Sequence, residues 1–145
     1  MKTLIAVVGI AIAAALAPAA LSSAGAERGT LTAHSSRFGS ILFDGKGYVL
    51  YAFTKDPRGR SVCSGACAAA WPPYIVSRAP RASTGVKSSL LGTTRRADGK
   101  LQVTYAGKAL YYYEGDRRPG QILCQNVSEF GGLWLVVRPS GALVR

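Results

Sequence analysis

The sequence predicts a mainly β fold: antiparallel sheets built from two pseudo-repeats, with one short Ala-rich helix. Three observations predict it. From residue 37 onward, apolar runs of strand length alternate with Asp-Gly, Ala-Gly and Ser-Gly turn signals. A pattern of the form G-x-x-L-Y-x-[FY]-x-x-D occurs twice. Past residue 37, only Gly65 to Trp71 has the alanine density of a helix, and Pro72 and Pro73 close it.

The elements follow in chain order. Met1 to Thr3 is a short positive start, Leu4 to Leu21 is uncharged and apolar, and Ala24 and Ala26 form an A-x-A site. That is the pattern of a secretory signal over residues 1–26, cleaved after Ala26. An uncleaved anchor is the alternative, because the run is long enough to span a bilayer, but Pro18 and the A-x-A site favour cleavage. No cysteine follows the run to carry a lipid, so the expected product is exported to the envelope or beyond, without a lipid anchor or a further membrane span. Residues 27–36 are polar and read as a flexible leader that holds His34. Residues 37–145 are the size of one domain, with repeats over about 37–76 and 90–145. In "SILFDGKGYVLYAFTKD" the Asp44-Gly45 turn splits two strands, and "RADGKLQVTYAGKALYYYEGD" repeats the device at Asp98-Gly99 and Ala106-Gly107. Ser77 to Leu91 reads as a long surface loop. Leu133 to Val137 is a last strand, with a short return after Ser140-Gly141.

The repeat aligns Gly47 with Gly107, Leu50 with Leu110, Tyr51 with Tyr111, Phe53 with Tyr113 and Asp56 with Asp116. Side chains alternate faces along a strand. Tyr51 and Phe53 therefore share a face, as do Tyr111 and Tyr113, while Leu50 and Ala52, or Leu110 and Tyr112, take the other. With both faces apolar or aromatic, each of these strands is expected at the centre of a sheet, covered on both sides.

Cysteine placement limits the chemistry. Cys63 and Cys67 have the spacing C-x-x-x-C, not the C-x-x-C-H of a haem attachment. A structural zinc needs four ligands, and His34 stands apart from the cysteines in sequence. Thiolates also suit reduced copper. Export favours disulfides. In a regular helix, residues four apart have Cβ atoms about 5–6 Å apart, whereas a disulfide wants about 3.8 Å. Gly65 permits a tighter turn, so a Cys63–Cys67 bridge is feasible. Cys124 stands in the position of Cys63 in the second copy, so Cys63–Cys124 and Cys67–Cys124 remain open as well.

The formal net charge is +11 at pH 7, which favours acidic envelope polymers or lipid headgroups as partners. Export argues against nucleic acid. The doublets Arg95-Arg96 and Arg117-Arg118 are the candidate anion-binding residues. Asp56 and Asp116 each end an aromatic strand before a basic turn, where an Asx-turn, with Arg58, Arg60, Arg117 or Arg118 nearby, explains them. With one histidine and scattered carboxylates, no acid–base pair, catalytic triad or phosphate loop assembles, and no cofactor is implied.

The doubled motif, "SVCSGACAAAWPP", "LLGTTRRADGKLQVTYAGKALYYYEGD" and "ILCQNVSEFGGLWLVV" closely resemble bacterial exported proteins called the secreted repeat of unknown function, also described as predicted lipoproteins with a Yx(FWY)xxD motif. The resemblance covers about residues 37–145. It implies an envelope protein of two related β-rich repeats, with signature positions at Tyr51, Phe53, Asp56, Tyr111, Tyr113 and Asp116. It implies no activity. The sequence therefore leads to an exported, non-catalytic module, with a thiol-based redox or copper protein using Cys63, Cys67 and Cys124 as the alternative.

Overall fold

A computed structural model describes residues 28–145. The signal segment expected over residues 1–26 lies outside the described residues. The first strands are β1 (Thr30–Ser36), β2 (Gly39–Asp44) and β3 (Tyr51–Phe53), followed by helix α1 (Ala66–Ala70). Then come β4 (Ile75–Val76), β5 (Arg81–Ala82), β6 (Leu91–Arg95), β7 (Leu101–Tyr105), β8 (Lys108–Tyr111), β9 (Val127–Glu129) and β10 (Gly132–Val136). The architecture is mainly β, with antiparallel sheets and a single short α-helix among the described residues.

The strands form a three-stranded sheet in the order β2-β1-β5 and a seven-stranded sheet in the order β4-β7-β8-β3-β10-β9, with β6 paired to β7. Each expected turn is present. Asp44 N–H reaches the Tyr48 carbonyl at 2.8 Å, and Arg96 N–H reaches Lys100 O at 2.9 Å. Between β7 and β8, Ala106 and Gly107 have φ of 50° and 76°, the paired left-handed geometry of a two-residue hairpin turn. Past β10 the chain returns, with Val137 bridged to Leu143.

Two segments differ from expectation. The leader expected over 27–36 carries β1, paired with β2 along its length from Leu31↔Asp44 to Ser36↔Gly39. Its alternation is real but quiet: Leu31 is buried and Ala33 packs beside it, while the residues between are Thr and His. Threonine suits a pleated strand, yet it reads as polar leader. The connection from Ser77 to Leu91 is also not a plain loop, because β5 runs parallel to β1 with Thr30↔Arg81 and Leu31↔Ala82 in register.

The two copies meet at the centre. β3 pairs antiparallel with β8, and Tyr51 stands opposite Tyr111, its own equivalent. An antiparallel pair in that register has a local two-fold axis normal to the sheet. β3 lies between β8 and β10, and β8 between β7 and β3, so both motif strands are central as expected. The faces divide as alternation requires. Tyr51, Phe53, Ala109 and Tyr111 bury in one cluster with Cys63, Cys67, Trp71 and Trp134. Leu50, Ala52 and Leu110 bury in the other with Leu31, Val103 and Tyr105, and Tyr112 packs against it.

Candidate functional site

The motif residues build two clasps. After each motif strand the chain reverses: Asp56 N–H donates to Phe53 O and Asp116 N–H to Tyr113 O, both at 3.1 Å. The carboxylates then grip in two directions. Asp56 Oδ1 accepts Val62 N–H at 2.8 Å and Asp116 Oδ1 accepts Leu123 N–H at 2.9 Å, so each aspartate closes the loop that follows it. The other oxygen crosses to the opposite copy. Tyr51 donates its hydroxyl to Asp116 Oδ2 at 2.7 Å, and Tyr111 donates to Asp56 Oδ2 at 2.6 Å. Tyrosine and aspartate of one motif therefore never meet through these bonds; each serves the other copy.

This corrects the expected Asx-turns. An Asx-turn takes a backbone N–H two residues on. Asp44 does that with Lys46 N–H at 2.9 Å, whereas Asp56 and Asp116 reach further along the chain. The arginines that steady the clasps also differ from those expected. Arg96 sits in the field of Asp56 and Arg37 in that of Asp116, each lowering its carboxyl's proton affinity. Both occupy hairpin turns, β6–β7 and β1–β2. Arg96 donates to Ser61 Oγ at 2.8 Å, Gln102 Oε1 at 2.6 Å and Cys63 O at 2.7 Å. Arg37 Nη2 donates to Ile122 O at 2.6 Å.

Burial pushes the carboxyls of Asp56 and Asp116 above the usual carboxylate range, against the tyrosine hydroxyl, the loop N–H and the arginine. Burial, then the facing aspartate, pushes Tyr51 and Tyr111 far above the ordinary phenol value. The phenols stay protonated and act as fixed donors.

The rings form a second symmetric system. Trp71 and Trp134 stack at 4.1 Å with planes 5° apart. Phe53 stacks on the outer face of Trp134 at 4.2 Å, and Tyr113 meets Trp71 at 4.8 Å. Tyr51 meets Trp71 edge-on at 5.2 Å, and Tyr111 meets Trp134 edge-on at 5.1 Å. Edge-to-face and offset stacking are the favourable geometries for aromatic pairs. Trp71 Nε1–H finds Glu129 Oε2 at 2.8 Å. Sequence reasoning left the tryptophans, Glu129, Gln102 and Arg37 unassigned. One signal was present: each motif tyrosine is followed by one tryptophan at a similar distance.

Of the three cysteines, Cys63 and Cys67 form a disulfide with Cα atoms 5.3 Å apart, and Cys124 is free. Cys63 lies ahead of α1, so the bridge does not have to close across a helical turn. Burial raises the Cys124 thiol above its ordinary value despite the Tyr113 hydroxyl, which leaves less of the nucleophilic thiolate. Among the described residues, no group of three or more His, Cys, Asp or Glu stands close enough to hold a metal.

The four candidate anion-binding arginines separate. Arg96 turns inward, its side chain 7% exposed. Arg95, Arg117 and Arg118 are exposed. A cleft of about 540 Å³ lies beside Pro73 and Tyr74, and one of about 430 Å³ lies between His34, Arg37 and the loop that Asp116 closes, at Pro119, Gly120 and Ile122. A smaller one of about 180 Å³ borders Asp56, with Arg58 and Lys108 on its wall. Tyr51, Tyr111 and the two carboxylates do not converge on any of these three.

Geometry of this kind defines an internally duplicated β-rich module whose signature residues hold its halves together. The particular family follows from comparison: the model of the secreted repeat of unknown function matches residues 33–74 and 92–138, and the chain belongs to that family. The two matched segments fall on the two structural copies, β1 to Tyr74 and β6 to Arg138. No curated protein and no solved structure matches the chain.

Proposed function

We propose that the protein is an exported, non-catalytic module that holds a rigid shape and binds an acidic component of the cell envelope. The observation that carries this reading is the sorting of charge between interior and surface. Asp44 and Asp116 accept hydrogen bonds from Tyr112 and Tyr51 and are buried, and Asp56, half-buried, accepts one from Tyr111. Cations such as Arg58, Arg60, Arg95, Arg117 and Arg118 stay exposed, while Asp98, Glu114 and Glu129 are the exposed carboxylates of the described residues. The surface is thus more basic than the composition alone suggests, and such a field attracts polyanions.

The test is retention on an immobilised acidic polymer, polyglutamate, over a salt series. Binding at low salt that fades as the Debye length shrinks supports the reading. No retention even at low salt removes the binding role. The thiol-based alternative draws less support, because two of its three thiols are joined and the third is pushed toward its protonated form. Mass spectrometry with and without reduction tests that alternative directly: three free thiols would restore it.

A further inference from the structure

The loops that follow the two aspartates, residues 57–62 and 117–123, are equivalent under the local two-fold axis. The first exposes Arg58 and Arg60 and ends on Val62, 43% exposed; the second exposes Arg117 and Arg118 and ends on Leu123, 56% exposed. Both are held by like bonds. Val62 and Leu123 give their N–H groups to Asp56 and Asp116. Gly59 N–H donates to Gly107 O at 2.7 Å, and Gly120 N–H to Gly47 O at 2.9 Å, so each loop also seats on the glycine turn of the other copy. From behind, Arg96 holds Cys63 O and Arg37 holds Ile122 O.

Both loops lie on one side of the central sheet. Cys63 and Ile122 bury in the same cluster as Tyr51 and Tyr111, and Cys124 packs against it. A two-fold axis normal to the sheet keeps equivalent segments on one face.

A single exposed aliphatic side chain is ordinary. Here one occurs at the equivalent position of each copy, on a backbone pinned by the motif aspartate, within a few residues of two exposed arginines. Arginines alone fit any polyanion. A soluble acidic polymer or a free phosphate offers nothing to Val62 and Leu123. An anionic bilayer offers both partners: phosphate for the guanidinium groups, and the boundary between headgroup and acyl chain for the aliphatic side chains. We propose that the twin loops dock the protein on an anionic lipid surface, with Arg58, Arg60, Arg117 and Arg118 on headgroup phosphates and Val62 and Leu123 dipping beneath them. Two equivalent contacts on one rigid body bind together more tightly than either does alone. This proposal rests on the anion-binding reading above and narrows its ligand to lipid.

The test is co-sedimentation with vesicles of phosphatidylcholine, alone and with phosphatidylglycerol added, beside retention on soluble polyglutamate. The unaltered protein is expected to bind the anionic vesicles and not the neutral ones. Exchanging Arg117 and Arg118 for Gln should weaken vesicle binding about fivefold per arginine. The pair Val62→Ser and Leu123→Ser should weaken it about tenfold while leaving polyglutamate retention unchanged. Both side chains are exposed, so the fold survives, and an unchanged thermal transition verifies it. Leu123→Trp is a second reporter, whose emission should shift to the blue on anionic vesicles. Polyglutamate retention without vesicle binding, or vesicle binding indifferent to the serine pair, overturns lipid docking and leaves the broader reading standing. Binding to neither overturns both.

Discussion

Tyr51→Phe isolates the crossed clasp. The substitution removes one oxygen and leaves the ring, so its packing against Trp71 persists. Tyr51 is 0% exposed and Asp116 is 8% exposed, so water does not readily replace the lost donor at Asp116 Oδ2. A hydrogen bond to a charged acceptor is worth about 1.5–3 kcal/mol. With a urea slope of about 1–3 kcal/mol per M for a domain of this size, the midpoint should fall by about 1 M. Tyr111→Phe should cost less, because Asp56 is only half-buried and solvent supplies a substitute donor. The decisive measurement is a pair of double-mutant cycles by urea unfolding. Tyr51→Phe with Asp116→Ala should show a coupling of about 1.5–3 kcal/mol. Tyr51→Phe with Asp56→Ala, its partner within the linear motif, should be additive within about 0.5 kcal/mol. If the coupling appeared within one motif and vanished across the copies, the crossed arrangement would be refuted.

Three further outcomes are expected. Burial raises Asp56 and Asp116 in the folded state, so their contribution to stability is full below the ordinary carboxylate value and is lost as pH rises through the raised one. The stability of the unaltered protein relative to Asp116→Asn should therefore be greatest in acid and decline toward neutrality, as urea midpoints across a pH series would show; the opposite slope contradicts it. Replacing both Cys63 and Cys67 by Ala should cost only about 2 kcal/mol, since the bridge closes a very short ring, and the circular dichroism spectrum should persist; global unfolding would mean that the bridge is a pillar of the fold. A chain nicked at exposed Lys87 should stay associated on size exclusion, because β3 pairs with β8 and β10, β4 pairs with β7 and both clasps join the halves; separation of the fragments contradicts it.

What the sequence made legible was whatever depends on local pattern. Alternation placed Tyr51 and Phe53 on one face and Leu50 and Ala52 on the other, and Asp-Gly and Ala-Gly pairs placed the hairpins. The start of the fold was harder to read, since Thr30, Thr32 and His34 mask a strand whose inward positions are only Leu31 and Ala33. The crossed bonds were hidden for a different reason. Tyr51 is five residues from Asp56 and far from Asp116 along the chain, and only the register Tyr51↔Tyr111 brings the distant acid near. Arg95 and Arg96 look alike as a doublet, yet successive side chains point in opposite directions at the strand end, so one faces solvent and the other holds the loop carbonyl of Cys63.

The exchange of partners has a consequence for descent. A single copy standing alone would leave its tyrosine without the aspartate that it meets here, so the two copies are constrained as a pair. A mutation at position 51 is answered at 116, not at 56, and covariation among relatives should trace that diagonal.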